Sequence, residues 1–313
     1  MKAVSFSRLH GVLKTCAACV LIASTFAASA QLLPAVNSSA ASFGSDTVPP
    51  VIQSTTSVAG EIVSQSATAS AYLHNSPDGP VLVGSVGGSS SAATDFGINR
   101  VGVGGGLIGI AEPGAFAFAY TSGQSFSRWN DSWTVGGGTM GELLTVSLSG
   151  RTTYELSLAG GAIDPRALQI GQGFNAGGSQ LSWSSDDFFA NAAAGYIDWV
   201  LSFDARSGDE VQVAMYFQAS LDGGSLGLDL GTTNKGIAFD AMHTSLLESI
   251  SLPIGYSLTA ESGQLVAHDG GFAYRAVLAE LANEGTVAEP QTLALAALGL
   301  FATGLASRRR SRQ

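Results

Sequence analysis

The densest cluster of chemistry-bearing side chains in the 313-residue chain is Asp186-Asp187, three positions after Trp183. Two carboxylates near an aromatic ring are what glycoside cleavage needs, one as acid and one as base or nucleophile across the scissile bond. Adjacent strand residues point to opposite faces, so this pair cannot bracket a bond between them. Ser184 to Asp187 followed by Phe188-Phe189 reads instead as the cap of a helical turn. Three histidines follow the first thirty residues, His74, His243 and His268, without the H-E-x-x-H spacing of a zinc centre. His243 reads as a strand-end residue, and His268, before Asp269-Gly270-Gly271, as part of a turn. No G-x-S-x-G elbow supplies a hydrolase nucleophile.

Glycine fingerprints occur at Gly104 to Gly109 and Gly136 to Gly141, yet neither opens a helix in a βαβ unit. With 40 glycines, roughly 0.6 such matches arise by chance, so both read as loops that bound strands. Gly223 to Leu230 is like one imperfect calcium-binding nonapeptide, and a single copy cannot build a repeat. Trp129, Trp133, Trp183 and Tyr120 could stack on sugar rings, although aromatics are the usual filling of a β-sandwich interior. No enzymatic activity, catalytic residue, metal ligand or cofactor site is expected. Calcium is the one ion left open.

The strongest signals lie at the two ends. Lys2, Arg8 and Lys14 precede the apolar stretch Val20 to Phe26 and the small-residue site Ala28-Ser29-Ala30, the pattern of a secretory signal peptide cut after Ala30. A lipoprotein reading at Cys19 is the weaker alternative, since the apolar stretch follows it and Cys16 stands where a lipobox has leucine. Both cysteines lie inside the leader, so the exported chain is expected to be stable without disulfides. At the other end, Thr292 to Ala306 is apolar or small all round and is followed by Arg308, Arg309, Arg310 and Arg312. As a helix, Thr292 to Ser307 spans about 24 Å, short of a bilayer's hydrocarbon core, which suits a transient stop with arginines on the cytoplasmic side.

Ala288-Glu289-Pro290, this apolar run and the arginine cluster together resemble the PEP-CTERM sorting signal of Gram-negative bacteria. Glu289 and Pro290 match the motif, and Ala288 stands where the family carries its first proline. Ile237 to Asp240, Thr244 to Gly255 and Ser262-Gly263 are similar to the closing strands of many ectodomains of that family. The resemblance implies recognition by an exosortase, cleavage near Glu289-Pro290, and delivery to the cell surface or an exopolysaccharide matrix. The implied partners are the Sec translocon, signal peptidase, the exosortase and, transiently, the inner membrane, with exopolysaccharide as a further one.

In the exported portion, from Gln31 to Glu289, seven basic residues face 24 acidic ones, a formal charge of −17 that repels nucleic acid. The expected organisation is a leader 1–30, a loose lead-in 31–58, an ectodomain 59–283 and a sorting signal 284–313 with its helix at 292–306. The ectodomain is expected to be all-β, an antiparallel sandwich of jelly-roll-like form, built from short strands between glycine-rich turns. The alternation of Ile197, Trp199, Leu201 and Phe203 against polar neighbours, then Val211, Val213, Met215 and Phe217 after Ser207-Gly208-Asp209, predicts a hairpin. Further strands are expected at 114–120, 124–135, 142–149, 152–159, 236–240, 244–252, 255–260 and 272–278. The Ser/Gly-rich stretch 84–106 reads as linker or long loop. Function is therefore expected to be a secreted, non-enzymatic surface or matrix protein; the alternatives are a carbohydrate-binding module using exposed tryptophans and, behind it, a polysaccharide lyase or hydrolase.

Overall fold

The computed structural model describes residues 35–44, 51–55, 61–73, 81–111, 121–159, 167–222 and 231–283. Both cleavage sites, the leader and the tail helix lie outside them, as do the strand expected at 114–120 and the nonapeptide-like stretch. The described chain is all-β and antiparallel. In order it forms β1 (Ala35–Gly44), β2 (Val51–Thr55), β3 (Val63–Leu73), β4 (Val81–Asp95), β5 (Ile98–Ala111), β6 (Thr121–Gly137), β7 (Leu143–Ala159), β8 (Leu168–Ala176) and β9 (Ser179–Ser184). After a short helix, Ser185–Ala190, come β10 (Tyr196–Arg206), β11 (Glu210–Asp222), β12 (Gly231–Ser251), β13 (Tyr256–Ala260), β14 (Leu265–His268) and β15 (Gly271–Tyr274). A closing helix, Arg275–Asn283, ends the described chain.

These strands make two sheets. The first runs β2-β1-β6-β11-β8-β9, with β13 added on β6; the second runs β10-β7-β12-β5-β4-β3, with β15 on β12 and β14 on β15. Inward residues of both sheets pack into shared apolar clusters, so the sheets lie face to face. One cluster is built on Trp129, Trp133, Phe174, Trp199, Phe203 and Met215, the other on Tyr154, Ile170, Phe188, Phe217 and Phe239.

The predicted hairpin is corrected at its pairing. Ile197, Trp199, Leu201 and Phe203 are buried, as are Val211, Val213, Met215 and Phe217. Yet β10 pairs with β7 in the second sheet, whereas β11 pairs with β6 and β8 in the first. The turn at Ser207-Gly208 therefore carries the chain from one sheet to the other. Two alternating strands joined by a tight turn have the same hydrophobic pattern whether they lie side by side or face each other across a core. The Gly208 φ of +95° and hydrogen bonds from the Ser207 and Gly208 N–H groups to Glu142 and Val135 carbonyls fix the crossing.

Other boundaries move for related reasons. The stretch 84–106 is a hairpin of β4 and β5 around Phe96-Gly97, rather than a linker, and Gly104 to Gly109 lies within β5 rather than bounding it. Its small residues serve close approach: a Cβ on Gly123 of β6 would sit 2.9 Å from the Ser89 carbonyl oxygen of β4, across the sandwich. The expected loose lead-in contains β1 and β2, with β1 paired along β6, so the sandwich begins ahead of residue 59. Strands expected at 142–149 and 152–159 are the single β7. Those at 236–240 and 244–252 are the single β12, whose register shifts after Asp240 absorb the interruption. The strand expected at 272–278 stops at Tyr274, and Arg275–Asn283 is helical, with Val277 buried against the core.

Gly150 on β7 lies opposite Trp199 on β10, and a Cβ there would overlap both the indole ring and the Leu246 carbonyl oxygen. Overpacking at such a site costs about 1–3 kcal/mol or more. Gly150→Ala is expected to lower the chemical-denaturation free energy by at least about 2 kcal/mol and to alter Trp199 fluorescence. An unchanged midpoint would show that the ring has room to move.

Candidate functional site

The side chains singled out in the sequence are not brought together. Asp187 closes a helix cap: its Oδ2 accepts from the Ser184 N–H at 2.7 Å and from the Ser184 hydroxyl at 3.0 Å, as the capping reading expected. This seats Phe188, which is buried against Tyr154, Phe217 and Phe239. Trp129, Trp133 and Trp199 are buried, and half-buried Trp183 packs its ring 6.0 Å from that of Trp199. Alternation thus turns the Trp129, Trp133 and Trp199 rings into the sandwich, while Trp183 keeps part of its ring at the surface and Tyr120 lies outside the described residues. His268 stands at the end of β14, beside Asp269, whose φ of +46° makes the turn. His243 falls within β12, and His74 lies outside the described residues. Among the described residues no group of His, Cys, Asp and Glu is placed to hold a metal ion.

The most concentrated polar chemistry centres on Asp131, which no sequence motif marks. It is an inward residue of β6 between Trp129 and Trp133, and all three are fully buried. One carboxylate oxygen accepts from the backbone N–H groups of Ser132, at 2.8 Å, and Ser262, at 3.2 Å. The other accepts from the hydroxyls of Ser262, at 2.6 Å, and Tyr274, at 2.8 Å. The Trp133 indole N–H in turn donates to the Tyr274 hydroxyl at 2.8 Å. A buried carboxylate is costly unless its oxygens are satisfied, and here each has two donors. Burial first, and the Asp131 charge second, hold the Tyr274 hydroxyl well above the ordinary tyrosine value. With its acceptor oxygens engaged and solvent excluded, the cluster acts as a tie: β6 is fastened to the turn after β13 and to the last residue of β15.

A second polar layer crosses the interior where the two apolar clusters meet. The Thr152 hydroxyl on β7 bonds to Gln172 Oε1 on β8, at 2.9 Å, and to the Ser245 hydroxyl on β12, at 2.8 Å. Gln172 Nε2 donates to Ser245 at 2.6 Å, which closes a triangle between the sheets. Beside it, Asn99 Oδ1 accepts from Thr94 and Ser127. On β5 and β8 the polar residue sits where the apolar ones change cluster: Ile98, Asn99, Val101 and Ile170, Gln172, Phe174.

On the outside, β10 and β7 form a polar ladder. Arg151 donates to Asp198 through Nε at 2.6 Å and Nη2 at 3.3 Å, and its guanidinium lies 4.9 Å from the Tyr196 ring centroid. Ser147 bonds Ser202, and the Thr145 hydroxyl donates to Asp204. These exposed pairs are worth little singly. They follow strand alternation, so the sequence marked the face without marking its pairing. No protein-family model matches this chain, and no curated protein matches it.

Asp131→Asn, which keeps the shape and removes the charge, is expected to destabilise the fold by about 1–3 kcal/mol in urea denaturation. Equal stability would mean that the charge is dispensable. The raised Tyr274 value gives a second expectation. A group whose folded pKa exceeds its unfolded one contributes fully below the unfolded value and loses that contribution as pH rises past it. The melting temperature is therefore expected to fall above pH 10.0, the ordinary tyrosine value, and to fall less steeply in Tyr274→Phe. Parallel pH profiles for the two proteins would remove Tyr274 from the effect.

Proposed function

We propose that this is a secreted, non-enzymatic protein of the cell surface or exopolysaccharide matrix, exported by its leader and sorted through its tail by an exosortase. The observation that carries the reading is the ordered set Glu289-Pro290, an apolar run from Thr292 to Ala306, and Arg308, Arg309 and Arg310 at the C-terminal end. The site Ala28-Ser29-Ala30 after an apolar stretch supports export from the other end. Among the described residues no helix is long and apolar enough to cross a membrane, and the tail lies outside them.

A cysteine-free sandwich suits such a destination, because its stability needs no disulfide. The jelly-roll-like form belongs to the same proposal: successive strands from β6 to β12 pass repeatedly between the two sheets, which supports it. With seven basic and 24 acidic residues from Gln31 to Glu289, the exported protein stays soluble among polyanionic polymers. Carbohydrate binding, with or without calcium, is the alternative, and among the tryptophans only half-buried Trp183 keeps ring surface for it.

Intact-mass measurement of the native extracellular product tests the proposal. The expected chain begins at Gln31 and ends near Glu289. A product in the membrane fraction that retains Arg308 to Arg310 would contradict exosortase sorting and leave a permanent anchor.

A further inference from the structure

We infer that β10 is a self-pairing edge through which two copies of this chain join into one continuous sheet, with the two-fold axis at Val200. Among the described residues β10 has a strand on one side only, β7. It is 11 residues long and pairs with β7 without a register shift. Natural edges are usually kept short, bulged, or guarded by proline or charged side chains; β10 is long, regular and free of proline and lysine, and its Asp198 and Asp204 are bonded back to β7.

The hydrogen-bond pattern identifies which groups are open. The Tyr154 N–H donates to the Gly195 carbonyl at 2.9 Å, and the Ser207 N–H to the Glu142 carbonyl at 2.9 Å, one at each end of β10. In an antiparallel pair such bonds fall on alternate residues, so odd-numbered residues of β10 bond β7 and even-numbered ones aim N–H and C=O at the free side. Arg206 is closed off, since its N–H donates to Asp209 Oδ2 at 2.8 Å and its carbonyl accepts from the Asp209 N–H at 2.9 Å. The open segment therefore runs from Tyr196 to Asp204, and its midpoint is Val200.

The side chains fit a second copy of this same strand. Asp198, Ser202 and Asp204 are turned back onto Arg151, Ser147 and Thr145 of β7, so the charges do not project over the edge. Val200 makes no such contact and is 67% exposed, a large apolar side chain at the centre of the open segment. An antiparallel pairing about Val200 sets valine on valine, Asp198 against Ser202 and Tyr196 against Asp204, and uses the whole open segment. Shifting the axis to Leu201 sets Asp198 against Asp204, and like charges directly opposite repel. Shifting it to Ser202 requires Arg206, whose backbone is already bonded.

Cysteine cross-linking tests the register, because the only native cysteines, Cys16 and Cys19, can be changed to serine in the full chain. In the dimer the two Val200 positions form a hydrogen-bonded pair with Cα atoms about 5.5 Å apart, which suits a disulfide. The two Ser202 positions are offset by about 13 Å along the strands and cannot bridge. In mild detergent, Val200→Cys is expected to form disulfide dimer with a yield about tenfold above Ser202→Cys. Val200→Pro removes an edge-facing N–H that β7 does not use; it is expected to weaken self-association about tenfold in sedimentation equilibrium while the variant stays folded by circular dichroism. Equal cross-linking at both positions, a monomer at about 100 μM, or association that Val200→Pro leaves unchanged would overturn the inference.

Discussion

The interaction on which most else depends is the buried carboxylate of Asp131. β6 is the central strand of the first sheet, bonded to β1, β11 and β13, and Asp131 lies on its inward face between two indole rings. A charge there is tolerable only when its oxygens are filled by donors from elements far along the chain. Ser262 and Tyr274, 131 and 143 residues away in sequence, supply three of the four donors, and the neighbouring Ser132 N–H is the fourth. Hydrogen bonds to a charged group are worth about 1.5–3 kcal/mol each, and an unfilled buried oxygen costs a comparable amount. The carboxylate thus favours the arrangement in which the closing turn, β15 and the closing helix are docked. Tyr274 carries the consequence outward, since its ring packs on Trp129, Trp133 and Phe96 while its hydroxyl joins Trp133 to Asp131.

The remainder of the interior answers a different constraint, the high content of glycine, serine and alanine. Small residues bury little apolar surface, so stability concentrates in the aromatic clusters. Phe188, Phe217, Phe239 and Tyr154 form one set of ring contacts; Phe174, Trp129, Trp183 and Trp199 belong to the other. Where they meet, Thr152, Gln172 and Ser245 bridge the two sheets by hydrogen bonds. This hydrogen-bonded triangle disfavours sliding of one sheet over the other, because a shifted register would strand its donors in apolar surroundings. Glycines such as Gly123 and Gly150 let a backbone or an indole ring come close where a methyl group would not fit.

Much of this was legible in the chain and some was not, for physical reasons. Alternation identified the inward faces of β10 and β11, since burial at every second residue is a local property of a strand. It did not identify their partners: the turn at Ser207-Gly208 serves a sheet crossing as readily as a hairpin. The Ser/Gly run from 84 to 106 has the composition of a linker, and only the nearness of the opposite sheet at Ser89 and Gly123 explains its use in strands. Asp187 was readable as a cap because its partner, Ser184, is three residues away. Asp131 was not readable as a tie because its partners are distant in sequence. The open edge of β10 was equally hidden, since edge position is a property of the assembled sheet.

The sorting proposed for the chain ends concerns destination, and the described residues, which include no cysteine, show how the sandwich is held together. The tie is where these meet, since Tyr274 and the helix ending at Asn283 are the last described structure ahead of Glu289-Pro290. Native-state hydrogen exchange tests the tie most directly, by comparing amides of β14 and β15 with those of β6 around Trp129 to Trp133. If Asp131 binds the closing elements into the core, both sets open with the same free energy. Amides from Leu265 to Tyr274 that exchange by a separate, much easier local opening would contradict the account.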